Sequence, residues 1–332
     1  MRLFNKFRFQ NRTNCVVNVL RFLLMITTLI IQNIGIADTV EEIHFLIPGG
    51  AGGGWDGTGR GVAEALLLSQ SLAKGMSVEN MSGNGGGKAI RFLMEEAADS
   101  PVVMVNSTPI ILRNLVGVFP ESFRDLTPLA CLIGDYGALV VRNESKIKNF
   151  SDLVAEFEAD PTKLKVAGGS LAGGMDHLVM ALALKSAGAD PKDLVYVPYD
   201  GGGNAMKSLL FGETQILSTG LSEALALAAQ GNVRVLVTTA PDKINDLPSL
   251  RSEGYPADFV NWRGLFGPPN LSVTRQEKLH KVLEKMYQTE VWERIREKNA
   301  WTNLFIPGSD FTDFLGVQEL QIQALLAELG FL

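Results

Sequence analysis

Apolar residues in this chain gather in short runs that alternate with stretches of helical period. The runs predict strands at 43–47, 76–80, 102–105, 138–142, 164–167, 194–197, 214–217 and 233–239. The amphipathic stretches predict helices at 57–70, 87–97, 150–158, 174–187, 203–211, 221–230, 274–287, 289–299 and 310–328. In the first of these, Val62, Ala63, Leu66 and Leu67 recur at the spacing of one helix face. Strand and helix in alternation imply an α/β fold, parallel sheets with helices on both faces. The segment after Pro268 is mostly helical and rich in charge, which suits packing, and Trp292 and Trp301 are expected there as core or interface anchors. No repeat of fixed period and no low-complexity tract interrupts the pattern.

Three strand-to-helix junctions are made almost wholly of glycine. Ile47-Pro48-Gly49-Gly50-Ala51-Gly52-Gly53-Gly54-Trp55-Asp56 follows the first strand, Gly83-Asn84-Gly85-Gly86-Gly87 the second, and Gly201-Gly202-Gly203-Asn204 a later one. Glycine lets backbone N–H groups approach a ligand closely, and a following helix adds unpaired N–H groups and partial positive charge. Such junctions lie where ligands of open α/β sheets bind, beyond the carboxyl ends of the strands. They suit a shared anion site that needs no cationic side chain. Asp56 reads either as a helix cap paired with Arg60 four residues on, or as a ligand contact; Asp176 has the same two readings. Asn84, Ser107, Thr108 and Ser170 offer neutral donors at strand ends.

The chain of 332 residues opens with Arg2, Lys6, Arg8, Arg12 and Arg21 and no acid, around an apolar core from Phe22 to Ile31. Gly35-Ile36-Ala37 before Asp38 fits a cleavage site, so residues 1–37 read as an export signal. Its loss takes the formal net charge from −6 to −11. That balance speaks against nucleic acid and anionic membrane partners, and it repels a carboxylate at long range. Cys15 leaves with the signal, and Cys131 in an apolar run reads as a buried structural thiol. His44, His177 and His280 are far apart and no Cys/His pair has ligand spacing, so no metal or other cofactor is expected.

Three catalytic or nucleotide motifs come close. Gly52-x-Gly54-x-x-Gly57 matches the dinucleotide fingerprint, but bulky Trp55 sits in the turn and the chain reads as exported. Gly83 to Lys88 lacks the first glycine of a phosphate loop, which is Ser82, and Ala89 replaces the magnesium-binding hydroxyl. Gly168-Gly169-Ser170-Leu171-Ala172 approaches a nucleophile elbow, with His177 close by in sequence. A serine hydrolase using Ser170 is therefore the alternative from another class, although its triad is incomplete.

Taken together, the glycine blocks resemble the tripartite tricarboxylate transporter substrate-binding proteins. Pro48 to Arg60 is similar to their first ligand loop, and Val78 to Gly86 to their second. Gly168 to His177, Tyr196 to Ala205 and Trp262 to Pro269 resemble later blocks, in family order. The resemblance implies a periplasmic binding protein of the two-lobed type II fold, each lobe a mostly parallel sheet flanked by helices. Lobe 1 would comprise 38–137 plus 258–332, lobe 2 would comprise 138–257, and hinges would fall near 137 and 258. It implies a monomer that holds a small di- or tricarboxylate and delivers it to a permease with one large and one small membrane subunit. A receptor feeding a membrane kinase would use the same closed state. The site residues implied are Gly52, Gly53, Gly54, Trp55, Asp56, Asn84, Gly85, Gly86, Ser107, Thr108, Ser170, Gly173, Asp176, Tyr199, Gly201 and Gly202. Asn204 stands where the tricarboxylate-like branch leads one to expect an acid.

Overall fold

The computed structural model describes residues 40–332 apart from 71, 97 and 99; the export segment read at 1–37, with Cys15, lies outside them. Strand β1 (Val40–Ile47) pairs in parallel with β2 (Leu72–Asn80) and β3 (Val102–Ser107). Helices α1 (Gly54–Leu68) and α2 (Gly87–Glu95) connect them, and the short helix α3 (Pro109–Leu115) follows β3. All six positions of β3 are buried, as expected of a strand covered on both faces. On α1, Val62, Ala63 and Leu66 face the core, whereas Leu67 is 63% exposed, so the buried stripe is narrower than the sequence pattern implied.

The second parallel group is β5 (Lys165–Gly168), flanked by β6 (Val195–Pro198) and β7 (Ile216–Gly220). Helices α4 (Phe150–Ala159), α5 (Met175–Ser186), α6 (Gly202–Phe211) and α7 (Leu221–Ala228) surround it, and β8 (Val233–Thr238) follows.

One long strand joins the two groups. In β4 (Thr127–Arg142), residues up to Tyr136 pair antiparallel with β9 (Val260–Gly267) and β10 (Thr302–Pro307). From Gly137 onward the same strand pairs antiparallel with β7 and β8. β9 in turn pairs antiparallel with β3, which completes the order β2-β1-β3-β9-β4-β7-β5-β6. The parallel pairs follow from the strand–helix alternation. The first half of β4, together with β9, β10 and α3, was not visible in the pattern, because Gly134, Asp135 and Gly137 interrupt the first and Arg263 and Gly264 the second.

The remaining helices, α8 (Val273–Tyr287), α9 (Glu290–Lys298) and α10 (Gly308–Leu329), close the molecule. Trp292 and Trp301 are buried with ring centroids 6.2 Å apart, in one cluster with Phe45, Leu66 and Met286. α10 packs on β4, α3 and α5, and its Phe311 meets Trp262 at 5.6 Å. Cys131 is fully buried, and burial pushes its thiol up to about 12, which leaves it unreactive. Truncation of Trp292 to alanine is expected to cost about 3–5 kcal/mol, the usual penalty for emptying a large aromatic site, read as a lower midpoint in urea denaturation.

Candidate functional site

Helices α1, α2 and α6 each begin at a glycine N-cap, Gly53, Gly86 and Gly201, with no side chain capping them. The first N–H groups of α1 and α6 therefore remain open at the ends of the strands that precede them, whereas at α2 the Gly87 N–H donates to the Asn84 carbonyl and the Lys88 N–H to the Gly83 carbonyl at 3.4 Å. The loops that lead into them depend on positive φ, at Gly52 (+81°) in the first and at Gly83, Gly85 and Gly86 in the second. Residues from all three line one cavity of about 710 Å³.

The carboxylate of Asp56 organises the first loop from behind. It lies within the first turn of α1 rather than at the cap. Its Oδ2 accepts from the Gly52 N–H at 2.9 Å, and its Oδ1 accepts from Arg60 Nε at 2.8 Å and from Asn80 Nδ2 at 3.0 Å. Asn80 also donates to the Gly49 carbonyl at 2.9 Å. Asp56 is 5% exposed and does not line the cavity, and neither does Gly52. Gly53, Gly54 and Trp55 do line it, as do Asn84, Gly85 and Gly86 of the second loop. Ser107 lines it with its Oγ accepting from Trp55 Nε1 at 2.8 Å, whereas Thr108 is wholly buried beneath. On the opposite wall stand Ser170, Asp176, Tyr199, Gly201 and Gly202; Gly173 lies outside, its N–H donating to His177 Nδ1 at 3.0 Å.

A cationic side chain occupies the cavity after all, which corrects the expectation of a site built from dipoles alone. Arg113 of α3 lines the wall at 6% exposure, its guanidinium 5.5 Å from the Trp55 ring and packed against Gly85, where a Cβ would come within 2.7 Å of Nη1. Its Nε and Nη1 are buried with no hydrogen-bond partner. Burial lowers its pKa to about 10, so it remains charged at neutral pH. The only sequence trace was a lone arginine in the apolar run Ile110 to Leu115, just past a strand end.

A second buried arginine is fully engaged. Arg263 of β9 donates from Nη2 to Asp135 Oδ2 at 2.6 Å, and from Nη1 to the Gly54 carbonyl at 2.8 Å and to Thr58 Oγ1 at 3.0 Å. Asp135 also accepts from Ser222 Oγ of α7 at 2.7 Å. This cluster joins α1, β4, β9 and α7, and Arg263 itself lines the cavity.

Ser170 takes part in a packing arrangement. Its Oγ accepts from the Asp176 N–H at 3.0 Å and lies 3.2 Å from the Tyr196 hydroxyl. His177 stacks on Tyr196 at 4.5 Å, and burial lowers its pKa to about 4. Because Nδ1 accepts from the Gly173 N–H, the neutral ring carries its proton on Nε2, so in this geometry His177 offers Ser170 no free lone pair. Burial first, then the charge of Glu223, pushes the Asp176 carboxyl up to about 7. Burial also raises Glu223, whose Oε2 accepts from Thr219 Oγ1 at 3.1 Å and from the Gly220 N–H at 3.3 Å.

The neighbouring glycines Gly53 and Gly54 differ sharply in room. A Cβ at Gly54 would lie 2.3 Å from Arg263 Nη2, which is pinned by its partners, whereas at Gly53 the nearest atom is 3.5 Å away. Gly54→Ala is expected to destabilise the protein by about 1–3 kcal/mol through overpacking, and Gly53→Ala to leave its thermal midpoint nearly unchanged.

Comparison with known proteins places this architecture. A family model described as the tripartite tricarboxylate transporter family receptor matches residues 60–328. Protein BugT of Bordetella pertussis is 25% identical over 291 residues, which span 81% of this chain and 87% of BugT. Among solved structures, an adipate-bound protein of Rhodopseudomonas palustris superposes with a TM-score of 0.80 at 17% identity, covering 88% of this chain and 98% of that one. MatC from Rhodopseudomonas palustris, solved with bound malate, gives 0.75 at 20% identity and covers 86% and 99%. The fold is that of the two-lobed periplasmic binding proteins, and by the match along most of its length this chain belongs to the tripartite tricarboxylate transporter family of receptors.

Proposed function

We propose that this chain is an exported, periplasmic receptor that captures a small di- or tricarboxylate in its cleft and delivers it to a permease with a large and a small membrane subunit. The observation that carries the reading is Arg113. A guanidinium at 6% exposure with unpartnered Nε and Nη1 is costly to bury, and a carboxylate is the group whose geometry matches it. The open N-termini of α1 and α6 add partial positive charge around the same space. Two proteins of similar fold were solved with adipate and malate, both carboxylates. Trp55 and Tyr199 supply surface for the apolar part of such a ligand, and Ser107 a hydroxyl to orient it.

Capture would proceed by closure of lobe 1 (38–137 plus 258–332) on lobe 2 (138–257), with hinges near 137 and 258. In support, β4 changes its pairing partners at Gly137, and the chain returns from β8 to β9 between Thr238 and Val260. Closure excludes water and strengthens every hydrogen bond to the ligand.

Arg113→Met separates binding from folding. It is expected to weaken the tightest of a panel of malonate, succinate, adipate and citrate by about 2–5 kcal/mol in calorimetry, as for one partner removed from a buried charge pair. The ligand-free thermal midpoint should stay level or rise, because an uncompensated buried charge is gone. Unchanged affinity in this variant would count against the reading.

A further inference from the structure

The cleft that holds Arg113 also carries the opposite charge. Asp176, in the first turn of α5, and Glu223, in the first turn of α7, both line the cleft. Among the described residues neither is ion-paired. The cation close to Glu223 is Arg263, but its Nη atoms are engaged by Asp135, Thr58 and the Gly54 carbonyl. Glu223 Oε2 is held by Thr219 and Gly220, while Oε1 stands between two glycine loops. A Cβ on Gly202 would lie 2.8 Å from it, and one on Gly53 4.0 Å.

The Asp176 carboxyl is hydrogen-bonded by the Ser170 side chain and the Gly169 backbone, but among the described residues no cation is salt-bridged to it. Tyr196 of β6 is pushed further toward its protonated form, Ser170 is neutral, and His177 on the same helix stays neutral because burial lowers its pKa to about 4. Lys207 of α6 and Asp200 line the same cleft with opposite signs. Arg113 and Asp176 act on each other: Asp176 is the foremost charge acting on Arg113, whereas Arg113 is the last of the influences on Asp176. The cleft therefore holds a guanidinium with two unpartnered nitrogens together with two carboxylates that no salt bridge among the described residues neutralises. A ligand carboxylate can meet the first. Against the second, a bare carboxylate is repelled unless a proton comes with it, whereas a hydroxyl or an ammonium would satisfy a free acceptor.

We propose that Asp176 and Glu223 are specificity residues: among small carboxylates they select those that carry a hydrogen-bond donor, hydroxyl or ammonium, away from the carboxylate held at Arg113. This rests on the carboxylate reading of the cleft.

Two matched series test it by calorimetry on the mature chain: succinate, malate and aspartate, and glutarate, 2-hydroxyglutarate and glutamate. Within a series the carbon skeleton is constant and only the substituent changes. In at least one series a donor-bearing member should bind roughly tenfold or more tighter than its parent, the scale of one hydrogen bond to a charged group. Malate against aspartate distinguishes hydroxyl from ammonium. The ratio should shrink in both Asp176→Asn and Glu223→Gln, which are isosteric and whose folding is checked by thermal denaturation. Between pH of about 6.5 and 8.5, where the ligand acids stay ionised, a donor favours the Asp176 carboxylate, so its binding releases a proton and tightens as pH rises. The unsubstituted parent takes up a proton and weakens as pH rises. A parent that binds as tightly as its substituted relatives, or a ratio that survives both variants, overturns the proposal while leaving a carboxylate receptor intact. Binding of no carboxylate from either series overturns the receptor reading as well.

Discussion

Arg263 holds together four segments that are remote in sequence. From β9 it reaches Asp135 on β4 and the carbonyl of Gly54 at the start of α1, and Asp135 in turn receives the Ser222 hydroxyl of α7. All of this happens at 2% exposure for Arg263 and none for Asp135. Loss of either partner would leave a buried charge uncompensated, among the more expensive single defects a core can carry. The pair therefore sets where the first glycine loop ends and where α7 begins, and those two ends bound the cleft. Gly54 is glycine because the guanidinium occupies the space a Cβ would need.

Two buried arginines with opposite bookkeeping define the molecule. Arg263 has its hydrogen bonds made within the chain, so it belongs to the architecture. Arg113 is nearly as buried, yet two of its nitrogens have no partner, and it faces the cleft. A fold tolerates such a group when something outside the chain completes it. The same contrast separates the acids. Asp56 is salt-bridged to Arg60 and bonded by Gly52 and Asn80, whereas Asp176 and Glu223 have hydrogen bonds but no salt bridge among the described residues. Pairing of buried charges, rather than residue type, divides scaffold from candidate ligand contacts.

That division also explains what could be read in the sequence. Glycine loops are local signals: a run such as Gly52-Gly53-Gly54 between a strand and a helix has few other uses, and all three loops line one cavity. Helix positions were legible from periodicity, with α5 at 175–186 against an expected 174–187. The antiparallel strands β9 and β10 were not: β9 mixes glycine, arginine and tryptophan, and β10 has an apolar run of only three residues, Leu304 to Ile306, between polar residues and a proline. Arg113 was hidden for another reason. Its meaning depends on Gly85 and Trp55, which are brought to it only by tertiary structure. Asp56 read equally well as cap or contact, since a carboxylate in the first turn of a helix fits both until its partners are known.

The central claim is that the cleft is completed by a carboxylate. Its most direct test is native mass spectrometry of the mature chain after equilibration with a mixture of carboxylates and uncharged analogues of similar size, followed by release and identification of what is retained. The account predicts one carboxylate-bearing molecule per chain and no uncharged analogue. Retention of a neutral molecule or a nucleotide in preference to every carboxylate, or no retention of any carboxylate, would contradict it.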